Sequence, residues 1–373
     1  MQPEILNYSN LQDLQDKHPE LIINDHINLA LNELFDIANP DQKDKKTKSG
    51  FNSYSQQLTG GKPEIWGVWV YYPWLNQVVH FPPKKALRAL RTSRNRNLIK
   101  PLEQIKLYEA TLLIIGMSVG SNVVEALVSS GIGSKMVLVD MDTIDPSNLN
   151  RIRSPYYHVG LHKVEAISRK VWEIDPFIEI IGYREGLNEK NLVEILDKYH
   201  IDVVIDEMDE LKMKIILHEA AKVHKLPVIM SADDGDNALL DIERYDLYPE
   251  TVVFGDRIPD QVIERIKRGL LSRSEIGLVI GKYFVGPQNI PLRMYESLDE
   301  VGKTLPSWPQ LGGAAALSGI SLAYIVKKLI LGEKIKSGRI LISLDEKLNL
   351  ENLNTSYQKQ VQTFQAQMEN QNL

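Results

Sequence analysis

The chain has 373 residues, of which 43% are hydrophobic, and a formal net charge of −6 at neutral pH. This length can bury one large core or two moderate ones, and the charge is spread without the clustered basic face of a nucleic-acid-binding protein, so no nucleic-acid partner is expected. The absence of cysteine excludes disulfides, thiolate-bound zinc and any thioester or persulfide carried on this chain.

Residues 1–62 are predicted to form a polar N-terminal extension. They contain one amphipathic stretch, Leu21 to Ile37, and the charge run Asp41 to Lys48, which is typical of a solvated loop. The first residues lack a signal-peptide pattern, and no apolar run is expected to reach the roughly 20 residues of a membrane helix. A cytoplasmic protein without membrane contact is therefore expected.

Residues 63–100 are predicted to form a β-hairpin followed by an Arg-rich segment. The hairpin sequence, EIWGVWVYYPWLNQVVHF, is rich in aromatic and β-branched residues, with a turn at Pro73. Its aromatic side chains are interpreted as packing residues. The Arg-rich segment contains Arg91, Arg94 and Arg96.

Residues 101–350 are predicted to form a Rossmann-type α/β domain, a doubly wound, mostly parallel sheet with an antiparallel extension. Apolar strands alternate with helices, which is typical of a parallel sheet covered on both faces. The five strands are TLLIIG, KMVLVD, IEIIGY, DVVID and PVIMSA, and the antiparallel part is ALLDIERYDLYP. A small-residue helix from Gly312 and the strand GRILISLD follow, and the Gln/Asn-rich residues 351–373 are predicted to be a frayed tail.

The turn after the first strand of this domain has the composition of a phosphate-binding loop. It reads Gly116-Met117-Ser118-Val119-Gly120-Ser121 and opens a helix. Glycines allow the backbone to approach a phosphate, and the helix N-terminus offers free N–H groups. Asp140 ends the second strand, about 20 residues on, where an acid binds ribose hydroxyls in dinucleotide folds.

A polar cluster then follows that a dinucleotide does not require. Arg151 and Lys163 come soon after the second strand, and Asp206 and Asp209 end the fourth. Because the carboxyl ends of parallel strands meet at one crevice, we expect these groups to converge. Cations neutralise phosphates and an Asp can hold Mg²⁺, so the set suits a nucleoside triphosphate with a divalent ion.

Leu112 to Ala238 resembles the ThiF/MoeB/HesA family, the bacterial relatives of ubiquitin-activating enzymes. The resemblance is carried by SGIG at 130–133, VDMDTI at 139–144, SNLNR at 147–151, VGLHK at 159–163 and DEMD at 206–209. The S-N-L-x-R segment, in register with Asp140, is the most specific of these motifs. The family implies an ATP-dependent adenylyltransferase with ubiquitin-like modifier activating activity, acting on a carboxylate of a peptide, a small carrier protein or a small acid.

The resemblance also implies roles for single residues, with ATP and Mg²⁺ as cofactors. Asp140 would bind the ATP ribose, and Asn148 and Arg151 would hold phosphates. Lys163 would stabilise charge on the leaving pyrophosphate, and Asp209 would coordinate Mg²⁺; Arg151, Lys163 and Asp209 form the predicted catalytic set. The predicted nucleotide site also includes Gly116, Ser118, Gly120, Asp142 and Ser147.

The family further implies a homodimer in which an arginine of one subunit reaches the ATP site of its partner. The segment Arg91 to Arg96 stands at about the right distance before the first strand, and Arg94 is the predicted residue. A basic surface segment with no such role is the alternative interpretation.

Three departures from the family pattern bear on activity. The glycine turn is one residue shorter than the family's G-x-G-G-x-G, with Ser118 where glycine is usual. Glu210 replaces the Asn that commonly follows the Mg²⁺-binding Asp, which adds a negative charge. The zinc-binding and catalytic cysteines are missing, so sulfur transfer through this chain is excluded while adenylation is not.

Two other functions stay open at the level of sequence. An NAD(P)-binding oxidoreductase would share the glycine turn and Asp140, but would leave Arg151, Lys163 and Asp209 without a role. A non-catalytic nucleotide-binding module of a modifying complex would keep the fold while its phosphate loop degenerates. The Asp233 to Asp236 run has two interpretations, an acidic rim that binds Mg²⁺ or a substrate amine, or a simple polar turn.

Overall fold

The computed structural model describes residues 2–45, 47–298, 300–350 and 355–370. The chain divides into two compact units. The first comprises Met1–Tyr108, Val128–Ile132 and Ser168–Ile178, and the second comprises Glu109–Leu127, Gly133–Ile167 and Glu179–Leu373. The predicted N-terminal extension and the hairpin region both fall in the first unit.

The first unit contains a four-stranded sheet in the order β1-β3-β4-β2. Its strands are β1 (Glu4–Leu6), β2 (Ile22–Asn24), β3 (Val68–Tyr72) and β4 (Gln77–Phe81). The predicted hairpin is confirmed, since β3 and β4 pair antiparallel with Val68 opposite Phe81. The helices are α1 (Tyr8–Lys17), α2 (Ile27–Ala38), α3 (Lys48–Thr59), α4 (Lys84–Arg91) and α5 (Pro101–Glu109).

The N-terminal 62 residues are thus more structured than predicted. Strands β1 and β2 have three residues each and pair with β3 and β4. Segments this short carry no periodic signal of their own, and the hairpin that stabilises them lies more than 40 residues further on. Leu31 and Phe35 of α2 are buried.

The second unit is built on a seven-stranded sheet in the order β11-β10-β9-β8-β5-β6-β7. The strands are β5 (Thr111–Ile115), β6 (Lys135–Val139), β7 (Glu179–Tyr183), β8 (Val203–Asp206), β9 (Pro227–Asp234), β10 (Asn237–Arg244) and β11 (Gly338–Ile342). Strands β5 to β9 are mutually parallel, and β10 and β11 are antiparallel. This confirms the predicted Rossmann-type sheet with its antiparallel extension.

The chain order of the parallel strands reverses between β5 and β8, which makes the carboxyl ends of these strands the switch point where α/β folds bind ligands. Helices α6 (Val119–Ser129), α7 (Lys163–Ile174), α8 (Glu189–Lys198) and α9 (Leu211–Val223) connect the strands. Leu113, Val137 and Val204 have no exposed surface, as the all-apolar strand sequences predict.

The C-terminal part adds helices α10 (Asp260–Lys267), α11 (Arg273–Val279), α12 (Leu292–Leu298), α13 (Gly312–Ile330), α14 (Leu344–Lys347) and α15 (Thr355–Glu369). The prediction of a frayed tail is corrected for residues 355–369, since Phe364 of α15 stacks on Tyr295 and Met368 is buried. Residues 351–354 and 371–373 of that tail lie outside the described residues.

Helix α13 corrects the statement that no segment is long enough to span a membrane. Within the described residues it is the one helix that meets the length and hydropathy of a span, with a mean hydropathy of 1.4. It packs on β9 and β10, and Ala315, Ser318 and Leu322 are fully buried. These contacts are those of a core helix, as the small-residue sequence predicted.

Candidate nucleotide site

The glycine turn lies between the end of β5 and the start of α6. Gly116 has φ +84°, and a Cβ added there would lie 2.3 Å from the carbonyl oxygen of Glu207. Only glycine therefore fits, both in conformation and in space. The turn is held against the end of β8, and α6 begins at Val119, so its free N–H groups lie directly after the turn.

Asp140 fixes this turn from the end of β6. Its Oδ2 accepts a hydrogen bond from the Met117 N–H at 2.6 Å, and its Oδ1 accepts one from the Asp142 N–H at 2.8 Å. Each carboxylate oxygen keeps a second acceptor position. Asp140 therefore orders the backbone of the turn and can still accept from a ribose hydroxyl.

Arg151 is joined directly to the glycine turn. Its Nε donates to the Ser118 Oγ at 2.9 Å, and its Nη1 donates to the Asn150 Oδ1 at 3.0 Å. The serine that departs from the family pattern thus serves as the acceptor that places the guanidinium at the turn. The backbone oxygen of Arg151 in turn accepts from Asn122 Nδ2 of α6 at 3.1 Å.

Lys163 is the first residue of α7 and is only 8% exposed. A cation at a helix N-terminus is disfavoured by the helix dipole, so it needs a compensating partner. Asp142 provides this partner, with Lys163 Nζ to Asp142 Oδ2 at 2.8 Å. Because Asp142 is exposed, the pair faces solvent and the lysine can exchange its carboxylate for a phosphate.

The remaining residues of the S-N-L-x-R segment form a short helical turn, Pro146–Asn150. Asn148 is buried, and its Oδ1 accepts from the Asp145 N–H at 3.1 Å. Because this oxygen is used in the turn, a contact with a phosphate would come from the amide nitrogen, which is a donor. Ser147 is exposed on the same turn, and Gly120 packs in the first turn of α6 against Ile114.

The structure separates the two acids that end β8. Asp206 has no exposed surface and binds Lys214 at 2.8 Å and His218 at 3.1 Å, so it is not available to a metal ion. Asp209 is exposed, and its carboxylate makes no hydrogen bond or ion pair with another described residue. The expected carboxylate pair for Mg²⁺ is therefore corrected to Asp209 alone.

Although Asp209 keeps solvent-exposed surface, desolvation by the surrounding protein atoms raises its pKa. The positive charges of Lys214, Lys163 and Arg151 lower this pKa and so oppose part of the effect. A cation bound beside Asp209 would therefore stabilise its ionised form. Within the described residues, no group of three His, Asp or Glu side chains is arranged to hold a metal ion. Mg²⁺ is commonly held by one or two carboxylates together with substrate phosphates, and Asp209 fits that arrangement.

Glu210 has a structural function that its sequence position did not reveal. Its carboxylate caps α9 by accepting from the N–H groups of Lys212 at 3.1 Å and Met213 at 2.6 Å. A carboxylate is stabilised at a helix N-terminus. The negative charge of Glu210 thus has partners at the N-terminus of α9, and its effect on bound phosphates stays a prediction.

Two polar residues near this crevice, Glu207 and Gln310, were given no role from the sequence. Glu207 accepts from the Ser231 N–H at 2.7 Å and from the Ser231 Oγ, and burial raises its pKa well above the usual range. The Gln310 side-chain Nε2 donates to Asp233 Oδ2 at 3.3 Å, and the Gln310 backbone carbonyl accepts from Asn150 Nδ2 at 2.7 Å. Gln310 carried no motif, whereas Glu207 stood inside the D-E-M-D motif without an assigned role.

Other predicted residues lie elsewhere or bind locally. Arg94 is exposed in the first unit, on the short helical turn Ser93–Asn95, and its role stays a prediction. His158 contacts the Ser154 Oγ at 2.9 Å and His162 contacts the Arg184 carbonyl at 3.1 Å, so both histidines of this region have local partners.

Residues 92–238 match the model of the ThiF family. The chain carries a ThiF-family domain. The family resemblance stated from the motifs is thereby confirmed, and the ThiF-family domain contains the glycine turn, Asp140, Arg151, Lys163 and Asp209.

Three similar proteins extend this comparison. The chain is 33% identical over 281 residues to an uncharacterized protein of Mycobacterium tuberculosis. The aligned region covers 75% of this chain and 38% of that protein. It is 34% identical to a tRNA threonylcarbamoyladenosine dehydratase of Bacillus subtilis, over 37% of this chain and 55% of the relative. It is 30% identical to an adenylyltransferase and sulfurtransferase of Lodderomyces elongisporus, over 38% of this chain and 31% of the relative. The chain thus spans between about a third and about half of the length of these relatives.

Proposed function

We propose that this protein is an ATP-dependent adenylyltransferase. A carboxylate oxygen of the substrate attacks the α-phosphorus of ATP, the bond from that phosphorus to the bridging oxygen breaks, and an acyl-adenylate and pyrophosphate form. The observation that carries the proposal is the hydrogen bond from Arg151 to Ser118, which places a cation on a helix-opening glycine turn. The names of the relatives from Bacillus subtilis and Lodderomyces elongisporus support an enzyme of this family.

Catalysis at such a site is electrostatic and positional. The N–H groups after Gly116 bind phosphate oxygens, and Arg151 and Lys163 stabilise the charge that develops on the α-phosphate and the departing pyrophosphate. Asp209 would hold Mg²⁺, which neutralises phosphate charge when it is bound. Asp140 accepts from the ribose. The chain needs no nucleophile of its own, which agrees with the absence of cysteine.

The finer parts of the proposal concern the substrate, the assembly and the location. The carboxylate belongs to a peptide or carrier-protein C-terminus or to a small acid, as in ubiquitin-like modifier activation. The protein acts as a homodimer in which Arg94 of one subunit reaches the ATP of the other. It works in the cytoplasm.

Calorimetric titration tests the nucleotide choice. ATP with Mg²⁺ should bind more tightly than NAD or NADPH, and EDTA should weaken the binding. Asp209→Asn should remove the Mg²⁺ effect, whereas Asp197→Asn, an exposed acid on α8, should not. A preference for NAD(P) would support the oxidoreductase alternative, and equal ATP affinity with and without Mg²⁺ would contradict the role of Asp209.

A further inference from the structure

A buried network of ionisable side chains lies directly behind the end of β8. Asp206 Oδ2 accepts from Lys214 Nζ at 2.8 Å and contacts His218 Nε2 at 3.1 Å. His218 Nδ1 contacts Glu243 Oε2 at 3.2 Å, and the Tyr245 hydroxyl donates to the same carboxylate. Each of these five residues exposes at most 8% of its surface.

Among the side chains that are bonded directly to one another in this network, the charges balance when His218 is protonated. Asp206 and Glu243 carry two negative charges, and Lys214 supplies one positive charge. Burial opposes protonation of His218, but its hydrogen bonds to Asp206 and Glu243 outweigh burial and raise its pKa. An unbalanced charge in such a site is costly, since a buried ion needs a partner. The Phe254 ring, 4.4 Å from the imidazole centroid, covers the network and adds no charge.

The same network fixes the loop from Asp206 to Asp209. Asp206 Oδ1 accepts from the Met208 N–H at 3.1 Å, and the Glu207 N–H donates to the Ile115 carbonyl at 2.8 Å. The Glu207 carbonyl is the group packed against Gly116. His218 is thus linked through Asp206 to both the glycine turn and the residue that precedes the candidate metal ligand.

We propose that His218 is a positioning residue, whose imidazolium holds Asp206 and thereby keeps the 206–209 loop in the arrangement that binds the nucleotide. It does not touch the nucleotide itself. The part of this proposal that concerns nucleotide affinity rests on the proposed function, whereas the part that concerns the order of the loop does not. The two parts can therefore be measured separately on the full chain.

The test compares charge-unbalanced and charge-balanced variants. His218→Gln keeps hydrogen-bonding groups but leaves one net negative charge, so amide hydrogen exchange in residues 206–210 should quicken at least tenfold. ATP–Mg²⁺ affinity should fall by about 10–100-fold, as for residues that orient a ligand-holding group. The double variant His218→Gln with Glu243→Gln balances the charge again and should recover most of both losses.

A matched control is His80→Gln in the first unit. His80 is also a buried histidine, 4% exposed, with contacts to Asp25 at 3.0 Å and to the Trp66 carbonyl at 3.1 Å. Its substitution should leave exchange in residues 206–210 and nucleotide affinity unchanged. If His218→Gln does not fold, the charge-balanced double variant is compared with the parent directly, and the expected result is that its loop protection no longer depends on alkaline pH.

The pH profile adds a readout that a purely structural histidine would not change. Because the folded pKa of His218 is raised, its stabilisation is complete below the unfolded pKa and is lost as pH rises through the folded pKa. The protection factors of the loop amides, which are corrected for the intrinsic rise of exchange with pH, should therefore fall at alkaline pH in the parent and stay constant in the double variant. Unchanged exchange in His218→Gln, or a double variant no better than the single one, would overturn the proposal. If the loop amides of the variants exchange as expected but the parent binds no ATP, the adenylyltransferase function is refuted and the positioning role of His218 still holds.

Discussion

Ser118 shows how one substitution can be absorbed by its surroundings. A glycine at this position would leave the Arg151 Nε without the acceptor that it has at 2.9 Å. Ser121 Oγ also donates to the Ser118 carbonyl at 2.7 Å, which orders the turn where it enters α6. Side-chain hydrogen bonds therefore hold the shorter turn at the start of α6, and its binding of phosphate stays a prediction.

Gly116 and Gly160 allow the close approach at the turn to be tested. Both have φ +84°, but a Cβ at Gly160 meets nothing within 4 Å, whereas one at Gly116 lies 2.3 Å from a backbone oxygen. Gly160→Ala should cost about 1–2 kcal/mol from backbone strain alone. Gly116→Ala should cost clearly more and weaken ATP binding, as measured by urea unfolding and titration. Equal losses of stability would show that the contact with Glu207 does not matter.

The sequence predicted which residues gather at the crevice better than it predicted the side-chain contacts that these residues make. Asp140, Arg151 and Lys163 were found because they stand at strand ends and in motifs. Asp206 and Glu210 belong to the same acidic segment of the sequence. In the structure, however, Asp206 is buried in a network of charged side chains, whereas Glu210 caps a helix. Burial and capping depend on residues such as His218 and Glu243, which are distant in sequence, so the local pattern could not distinguish these fates.

At the scale of elements, long apolar strands and amphipathic helices were predictable. Strands β5 to β9 follow the order of the five apolar segments predicted as strands, and helices alternate with the first four of them. Strands β1 and β2 and helix α15 were missed because they depend on tertiary partners. Their sequences are short or polar, and only pairing with β3 and β4, or packing against Tyr295, stabilises them.

Two glycines of α13 should respond to alanine in opposite directions. A Cβ at Gly319 would lie 2.6 Å from Asn122 Cβ, while one at Gly313 meets nothing within 4 Å. Gly313→Ala should stabilise the protein by up to about 1 kcal/mol, since it lowers the entropy lost on folding. Gly319→Ala should destabilise it by about 1–3 kcal/mol through overpacking. It should also weaken ATP binding, because Asn122 Nδ2 donates to the Arg151 carbonyl. Thermal unfolding that shifts both variants in the same direction would contradict the packing described for α13.

At the scale of the whole molecule, the ThiF-family match covers residues 92–238, and α13, β10 and β11 complete the sheet and its cover outside it. Gln310, just before α13, contacts Asp233 and Asn150. The C-terminal part therefore contributes directly to the crevice, although it lies outside the residues that match the family model.

The proposed shared site predicts complementation between inactive chains. In a mixture of Arg94→Ala and Lys163→Ala chains, each hybrid dimer contains one site with neither substitution, so part of the activity should return. The measurement compares pyrophosphate exchange in the mixture with exchange by each variant alone. In the control experiment, Arg96→Ala, which changes the neighbouring exposed arginine, replaces Arg94→Ala. An active protein that sediments as a monomer at the assay concentration would contradict the proposal.

Exchange of labelled pyrophosphate into ATP, with peptides ending in Gly-Gly and a panel of small acids as carboxylates, tests adenylation most directly. The parent should exchange in a carboxylate-dependent way. Arg151→Ala and Lys163→Ala should slow exchange by about 10²–10³, the typical effect of removing one group that stabilises transition-state charge. Arg153→Ala, two residues from Arg151 and exposed, should exchange like the parent. Exchange by both cation variants at the parental rate, or none by a parent that binds ATP with Mg²⁺, would contradict the adenylyltransferase function.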